Sequence, residues 1–278
     1  MIAILGGLGA ALAFAVTTLC SARASRSIGA LATLGWVMLV GLVPAVVAVL
    51  AWGGDAPQGS QFGWLALSGL GNVVGLALVY AAMRRGQVGV VAPITSTEGA
   101  VAAVIAIALG EEISTGVGVS LAAVVVGVAL AAAAPGVEGK TSPVAVALAC
   151  SAAVAFGAGI YATGRVSQEL SIAWAMLPAR AVGVVLVTLP LLATRRLPRP
   201  GQATKLVVVT GLAEVAGFAS YAVGARHGIA IAAVLASQFA ALAALGAYLL
   251  WRERLTRIQI AGIVLIAVAV AALSALRA

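Results

Sequence analysis

Charge is what this sequence has least of. Only 9% of its 278 residues are Asp, Glu, Lys or Arg, against roughly 25% in a soluble domain. So few charges cannot coat a water-facing surface. With 63% hydrophobic residues and a mean hydropathy of +1.16, the medium around the chain is expected to be lipid. Histidine occurs once, at His227. No HExxH pair and no acidic cluster at metal-ligand spacing accompanies it, which argues against a metal centre and against a membrane enzyme. No P-loop motif is present, which argues against direct ATP drive. No cofactor is expected. Cys20 and Cys150 lie in separate apolar runs and read as packing residues rather than a disulfide. The net charge of +8 would suit nucleic acid, but the basic residues stand singly or in pairs between apolar runs. They serve membrane orientation instead, and no nucleic-acid partner is expected.

What the sequence does hold is a repeat. At an offset of 142 positions (Gly211 against Gly69), the stretch Ser68 to Ala133 occurs a second time. Gly69, Leu70, Val73, Gly75 and Ala77 fall on Gly211, Leu212, Val215, Gly217 and Ala219. Arg84, Gly86 and Glu111 fall on Arg226, Gly228 and Glu253. Upstream, Phe14, Arg23, Ser25, Gly41 and Val43 fall on Phe156, Arg165, Ser167, Gly183 and Val185. Apolar matches are cheap in a chain this rich in Ala and Val, but the Phe, Arg, Ser and Glu matches are not. The sequence is a tandem duplication, with expected units at 1–136 and 143–278.

A membrane helix takes about 20 apolar residues. Ten such runs stand near 2–20, 31–52, 63–83, 88–109, 115–134, 143–163, 172–193, 206–225, 228–250 and 258–276. Turn-forming residues separate them at Gly53-Gly54-Asp55-Ala56-Pro57, Pro135-Gly136 and Arg195-Arg196-Leu197-Pro198-Arg199-Pro200. The first run lacks a basic leader and has a mid-chain counterpart, so it reads as a retained helix. The predicted fold is an all-α integral membrane protein of ten transmembrane helices. Five crossings per copy is an odd number, so the second copy starts on the opposite side and the repeats are inverted. The loops after runs 1, 3, 5, 7 and 9 hold twelve basic residues: Arg23, Arg26, Arg84, Arg85, Lys140, Arg195, Arg196, Arg199, Lys205, Arg252, Arg254 and Arg257. The other face holds three, Arg165, Arg226 and Arg277. This bias places both termini away from the cytoplasm, in the plasma (inner) membrane. Inverted repeats imply alternating access.

Each copy has a small-residue third helix. The first has a fourth helix with an early Pro93 running into Gly110-Glu111-Glu112-Ile113-Ser114, and the second reads Arg252-Glu253-Arg254-Leu255-Thr256. These features, spread over essentially the whole chain, resemble the EamA family of the drug/metabolite transporter superfamily. The resemblance implies ten helices around a central cavity lined mainly by helices 1, 3, 4, 6, 8 and 9, and export or uptake of small metabolites. Three departures stand out. Leu235 replaces Pro93 in the second copy, which predicts a less kinked ninth helix. Helix 1 carries no Glu, so the proton-coupling carboxylate of the small multidrug relatives does not carry over. Family members usually keep their termini in the cytoplasm, opposite to the charge count here.

Polar residues deep in the spans are the candidate substrate or proton site, because a charge at the bilayer centre costs roughly 2.5–3.5 kcal/mol on insertion scales. Glu98 lies midway along helix 4 within Thr95-Ser96-Thr97-Glu98, just after Pro93, whose missing N–H leaves a carbonyl in need of a partner. Glu214 lies near the middle of helix 8, matching Asn72, on one face with Gly217 and Tyr221. Arg180 lies inside helix 7 and either neutralises Glu214 or Glu98 or receives an anionic substrate group. Ser237 and Gln238 match Thr95 and Ser96. The copies differ at each charged site: Glu98 matches Ala240, Arg180 matches Met38, and Glu214 matches Asn72. Glu111 and Glu253 stand at the mouth of the following helix, where a carboxylate caps the helix dipole or serves a gate. Thr256 and Gln259 read as a capping box. The expected partners are a small-molecule substrate, the bilayer and a proton, with monomer and homodimer both open. The leading reading is a secondary transporter, in the export direction; a lipid flippase or a channel on the same scaffold is the alternative.

Overall fold

In hydrocarbon a backbone must satisfy its own hydrogen bonds, so an apolar chain that spans a membrane folds as helices or a closed barrel. The computed structural model describes residues 1–83, 85, 88–132, 142–251 and 256–277, and these form helices only. The motif residues Arg84, Gly86, Pro135, Gly136, Lys140, Arg252, Glu253, Arg254 and Leu255 lie outside the described residues, as do the side chains of Pro93, Tyr80 and Tyr248.

The first copy comprises α1 (Ile2–Ile28), α2 (Ala30–Trp52), α3 (Gln61–Met83), the pair α4 (Val88–Thr95) and α5 (Glu98–Ala108), and α6 (Thr115–Ala132). The second runs α7 (Pro143–Glu169), α8 (Ile172–Gly183), a π-helical turn Val184–Thr188 and α9 (Leu189–Ala193). It continues through a short 3₁₀ turn Gly201–Ala203 into α10 (Thr204–Ala225), the pair α11 (Ile229–Ala236) and α12 (Phe239–Trp251), and α13 (Arg257–Arg277). Taken as spans, these are the ten expected. Six segments are individually long and apolar enough to cross a membrane, and shorter apolar helices make up the rest. Side chains facing away from the bundle are apolar, among them Leu5, Leu50, Val104 and Leu249.

Local chemistry sets several boundaries. Ser142 caps α7 by accepting from the Ala145 N–H, with Pro143 in the first turn, where its missing donor is harmless. The Thr256–Gln259 capping box forms in both directions: the Thr256 N–H donates to Gln259 Oε1 at 2.9 Å and the Gln259 N–H to Thr256 Oγ1 at 3.3 Å. In the seventh span Pro190 cannot donate, and the chain passes through one π-helical turn just before it.

The ninth span corrects the expectation drawn from Leu235. It is broken at Ser237–Gln238, as the fourth is at Ser96–Thr97. Proline is therefore not the common cause. In both breaks a hydroxyl turns back on the chain: Thr97 Oγ1 donates to the Ile94 carbonyl at 2.7 Å and Ser237 Oγ to the Val234 carbonyl at 2.8 Å. In both, the backbone shortens to an i−3 bond, Thr97 to Ile94 and Gln238 to Leu235, each 3.2 Å. Hydroxyl residues compete with the helical ladder in this way.

The two copies interlock. α1 packs along α10 and α3 along α7, while α6 packs on α13, α2 on α8, and α5 on α11. The first two contacts are images of each other when the copies exchange, and α6 on α13 and α2 on α8 are their own images. The exchange extends to side chains. Phe156 lies on Gly75, where an added Cβ would come within 2.6 Å of the ring, and Phe14 lies on Gly217. Val182 crowds Gly69 as Val40 crowds Gly211, and Arg180 crowds Gly41 as Met38 crowds Gly183. Such paired contacts require a pseudo-twofold axis between the copies. Because each copy crosses five times, that axis lies in the membrane plane and the repeats are inverted.

Glu111 corrects a second expectation. It does not cap the helix that follows it. Its carboxylate accepts the backbone N–H of Ile229 at 3.0 Å and of Ala230 at 3.1 Å, at the start of α11 in the other copy.

Candidate functional site

The two broken spans cross at their breaks. A Cβ on Gly99, one residue into α5, would lie 2.5 Å from the Ala233 carbonyl and 2.6 Å from Ser237 Oγ. This close approach needs glycine, and it brings the Thr95–Glu98 turn of one copy against the Ser237–Gln238 turn of the other. Ser237 and Gln238 are buried, and Gln238 Nε2 has no hydrogen-bond partner among the described residues. Thr95 donates to the Val91 carbonyl at 3.1 Å. Glu98 begins α5, half-buried, and its carboxylate has neither a hydrogen bond nor an ion pair among the described residues.

A second polar centre lies on α8 and α10. Arg180 is completely buried, and its Nη1 stands 2.6 Å from Glu214 Oε2. The contact is short but off the hydrogen-bonding angle, since none of the three guanidinium nitrogens makes a hydrogen bond. The guanidinium also sits 5.3 Å from the centre of the Phe218 ring, an additional cation–π attraction. Phe218 meets Phe14 edge-on at 5.4 Å, and Phe14 meets Phe239 edge-on at 6.3 Å. Phe239 directly follows Gln238, so an aromatic row leads from the ion pair to the crossing of the breaks.

The remaining sequence candidates divide. Asn72 is half-buried on α3. Tyr221 shares α10 with Glu214 but not its surroundings: its hydroxyl donates to the Ile160 carbonyl of α7 at 2.9 Å, a helix cross-link. Thr97 bonds back to its own span. The sequence reading left out the phenylalanines, although the repeat match of Phe14 with Phe156 was the available signal. It also left out the role of Arg226, described below, which was visible only as a match to Arg84.

Nearer the face that carries both termini is an open vestibule of about 390 Å³. Glu111, Tyr161, Arg165, Gln168, Arg226 and His227 are among the residues lining it.

Among solved structures, a protein described only as "Crystal structure of protein" is similar over 96% of both chains, with a TM-score of 0.77 and 17% identity. At that identity the likeness concerns the fold alone. No curated protein matches the chain. The model of the EamA-like transporter family matches it twice, over residues 1–133 and 143–275. Ten apolar spans, inverted copies and this double match together place the chain in the EamA-like transporter family, as a multi-pass membrane transporter of the drug/metabolite superfamily.

Proposed function

We propose that the chain is a secondary transporter that moves a small metabolite outward across the plasma membrane by alternating access, coupled to a proton. The halves, taken as 1–136 and 143–278, rock against each other around the crossing of the two broken spans. The observation that carries this reading is the contact of Gly99 with Ala233 and Ser237, which brings two irregular turns together between the copies. Breaks of this kind present carbonyls, hydroxyls and helix ends to a substrate halfway through a membrane.

Glu98 and Glu214 take different parts. Glu214 faces Arg180, so protonating it would strand a buried cation, which is strongly unfavourable. Glu98 has no partner among the described residues and can accept and release a proton without stranding a charge. Arg180, with donors to spare, offers them to a polar group on the substrate.

The test is transport in proteoliposomes carrying a pH-sensitive dye. A panel of labelled amino acids, nucleosides, polyols and organic cations is presented with and without a pH gradient. A substrate whose movement drives proton flux in the native protein, with the flux lost in Glu98→Gln, supports the reading. Substrate movement with unchanged proton flux in Glu98→Gln removes Glu98 from the proton path.

A further inference from the structure

Two helix ends at the termini-bearing face are held by charges from elsewhere in the chain. Gly228 stands at the N-cap of α11 with φ 147° and no side chain to offer. The cap comes instead from Glu111, 118 residues away in the other copy, through the bonds to Ile229 and Ala230. On the other side of the same short loop, Arg226 reaches the end of α7: its Nε donates to the Ser167 carbonyl at 2.6 Å and its Nη2 to the Leu170 carbonyl at 2.7 Å. Gln168 Nε2 adds a bond to the Ala225 carbonyl at 3.2 Å. A carboxylate at a helix N-terminus and a guanidinium at a C-terminus each meet the favourable end of the dipole.

We propose that Glu111 and Arg226 are the gate residues of this face: they hold α11 shut over the site, and it opens when Glu111 releases α11. Three observations support this. A helix can be capped from its own sequence; here the cap lies across the boundary between the copies, so it persists only while the copies stay in this relative position. All eight residues of α11 are 0–3% exposed, whereas in α4, its counterpart, Val90, Ile94 and Thr95 are half-buried. The segment beneath the clamp is thus closed off along its whole length. The vestibule is lined by both gate residues and by the loop they hold, so a route from this face ends on the clamp.

The inference rests on the alternating-access reading, and its test separates the two. In protein with Cys20 and Cys150 replaced by Ser, Gln238→Cys places a thiol at the break of the ninth span. Vesicles of each orientation are treated with a membrane-impermeant, charged methanethiosulfonate. With the clamp intact the thiol reacts from the face opposite the termini and only slowly from the termini face. In Glu111→Ala, and separately in Arg226→Ala, the rate from the termini face rises about tenfold, the factor expected for losing roughly one hydrogen bond to a charged group. Glu111→Gln, which still accepts one N–H but carries no charge, rises about threefold and serves if the alanine variant does not fold. Rates from the termini face unchanged in folded variants, with reaction from the opposite face intact, overturn the gate and leave the transport reading standing. A thiol that reacts from neither face in any variant overturns both.

Discussion

Arg180 meets Glu214 across α8 and α10 at 2.6 Å, and the positions matching them in the first copy are Met38 and Asn72. The first copy thus carries no charge at either of the two positions that form the ion pair in the second. Arg180→Met should cost about 3 kcal/mol, because it strands Glu214 beside a buried face. The double variant Arg180→Met, Glu214→Asn, which copies the other half, should recover to within about 1 kcal/mol of the native protein. Thermal unfolding in detergent measures both; a double variant no better than the single one would show that the pair contributes nothing by pairing.

Glu98 should behave in the opposite way. With no partner among the described residues, replacing it with Gln removes a charge from a costly place and breaks no ion pair. Glu98→Gln should unfold within about 0.5 kcal/mol of the native protein or above it, while Glu214→Gln falls well below. A loss of stability in Glu98→Gln as large as in Glu214→Gln would point to a structural role for Glu98.

The mirrored glycines predict mirrored damage. Gly75→Val drives a side chain into Phe156, and Gly217→Val into Phe14. Overpacking of this sort costs about 1–3 kcal/mol. The two variants should lose similar amounts in an unfolding titration, and pairing Gly75→Val with Phe156→Leu should restore part of the loss. Damage confined to one of the two sites would mean that the symmetry is not shared energetically.

The twelve-to-three distribution of basic residues predicts where the ends lie. A reporter fused after Ala278 that is active only outside the cytoplasm should be active, and one active only in the cytoplasm should be silent. The reverse result would give this chain the orientation usual for relatives of its kind, and would put the Glu111 clamp on the cytoplasmic face.

Span number, duplication and inversion were legible because each leaves a one-dimensional mark: apolar length, a fixed offset, and an odd count. The ion pair was half legible, since Arg180 and Glu214 are costly residues that each needed an explanation, but sequence offered Glu98 as an equally good partner for Arg180. Two features could not be read in the same way. The break in the ninth span depends on a serine hydroxyl bending back on its own helix, which the proline criterion overlooks. The partner of Glu111 depends on which helix end the other copy brings alongside it. A carboxylate beside a helix start looks the same in sequence whether it caps its neighbour or a helix 118 residues away.

The interlocked packing of α1 on α10 and α3 on α7 has a bearing on how such a protein can arise. Each half contributes one side of the largest internal seams, so residues 1–133 by themselves would leave those inner faces bare in the lipid. Before the two coding segments were joined, a five-crossing ancestor could have closed those seams only against a sister molecule inserted head to tail. Fusion made that antiparallel partnership permanent, and freed one half to acquire Arg180 and Glu214 while the other kept Met38 and Asn72.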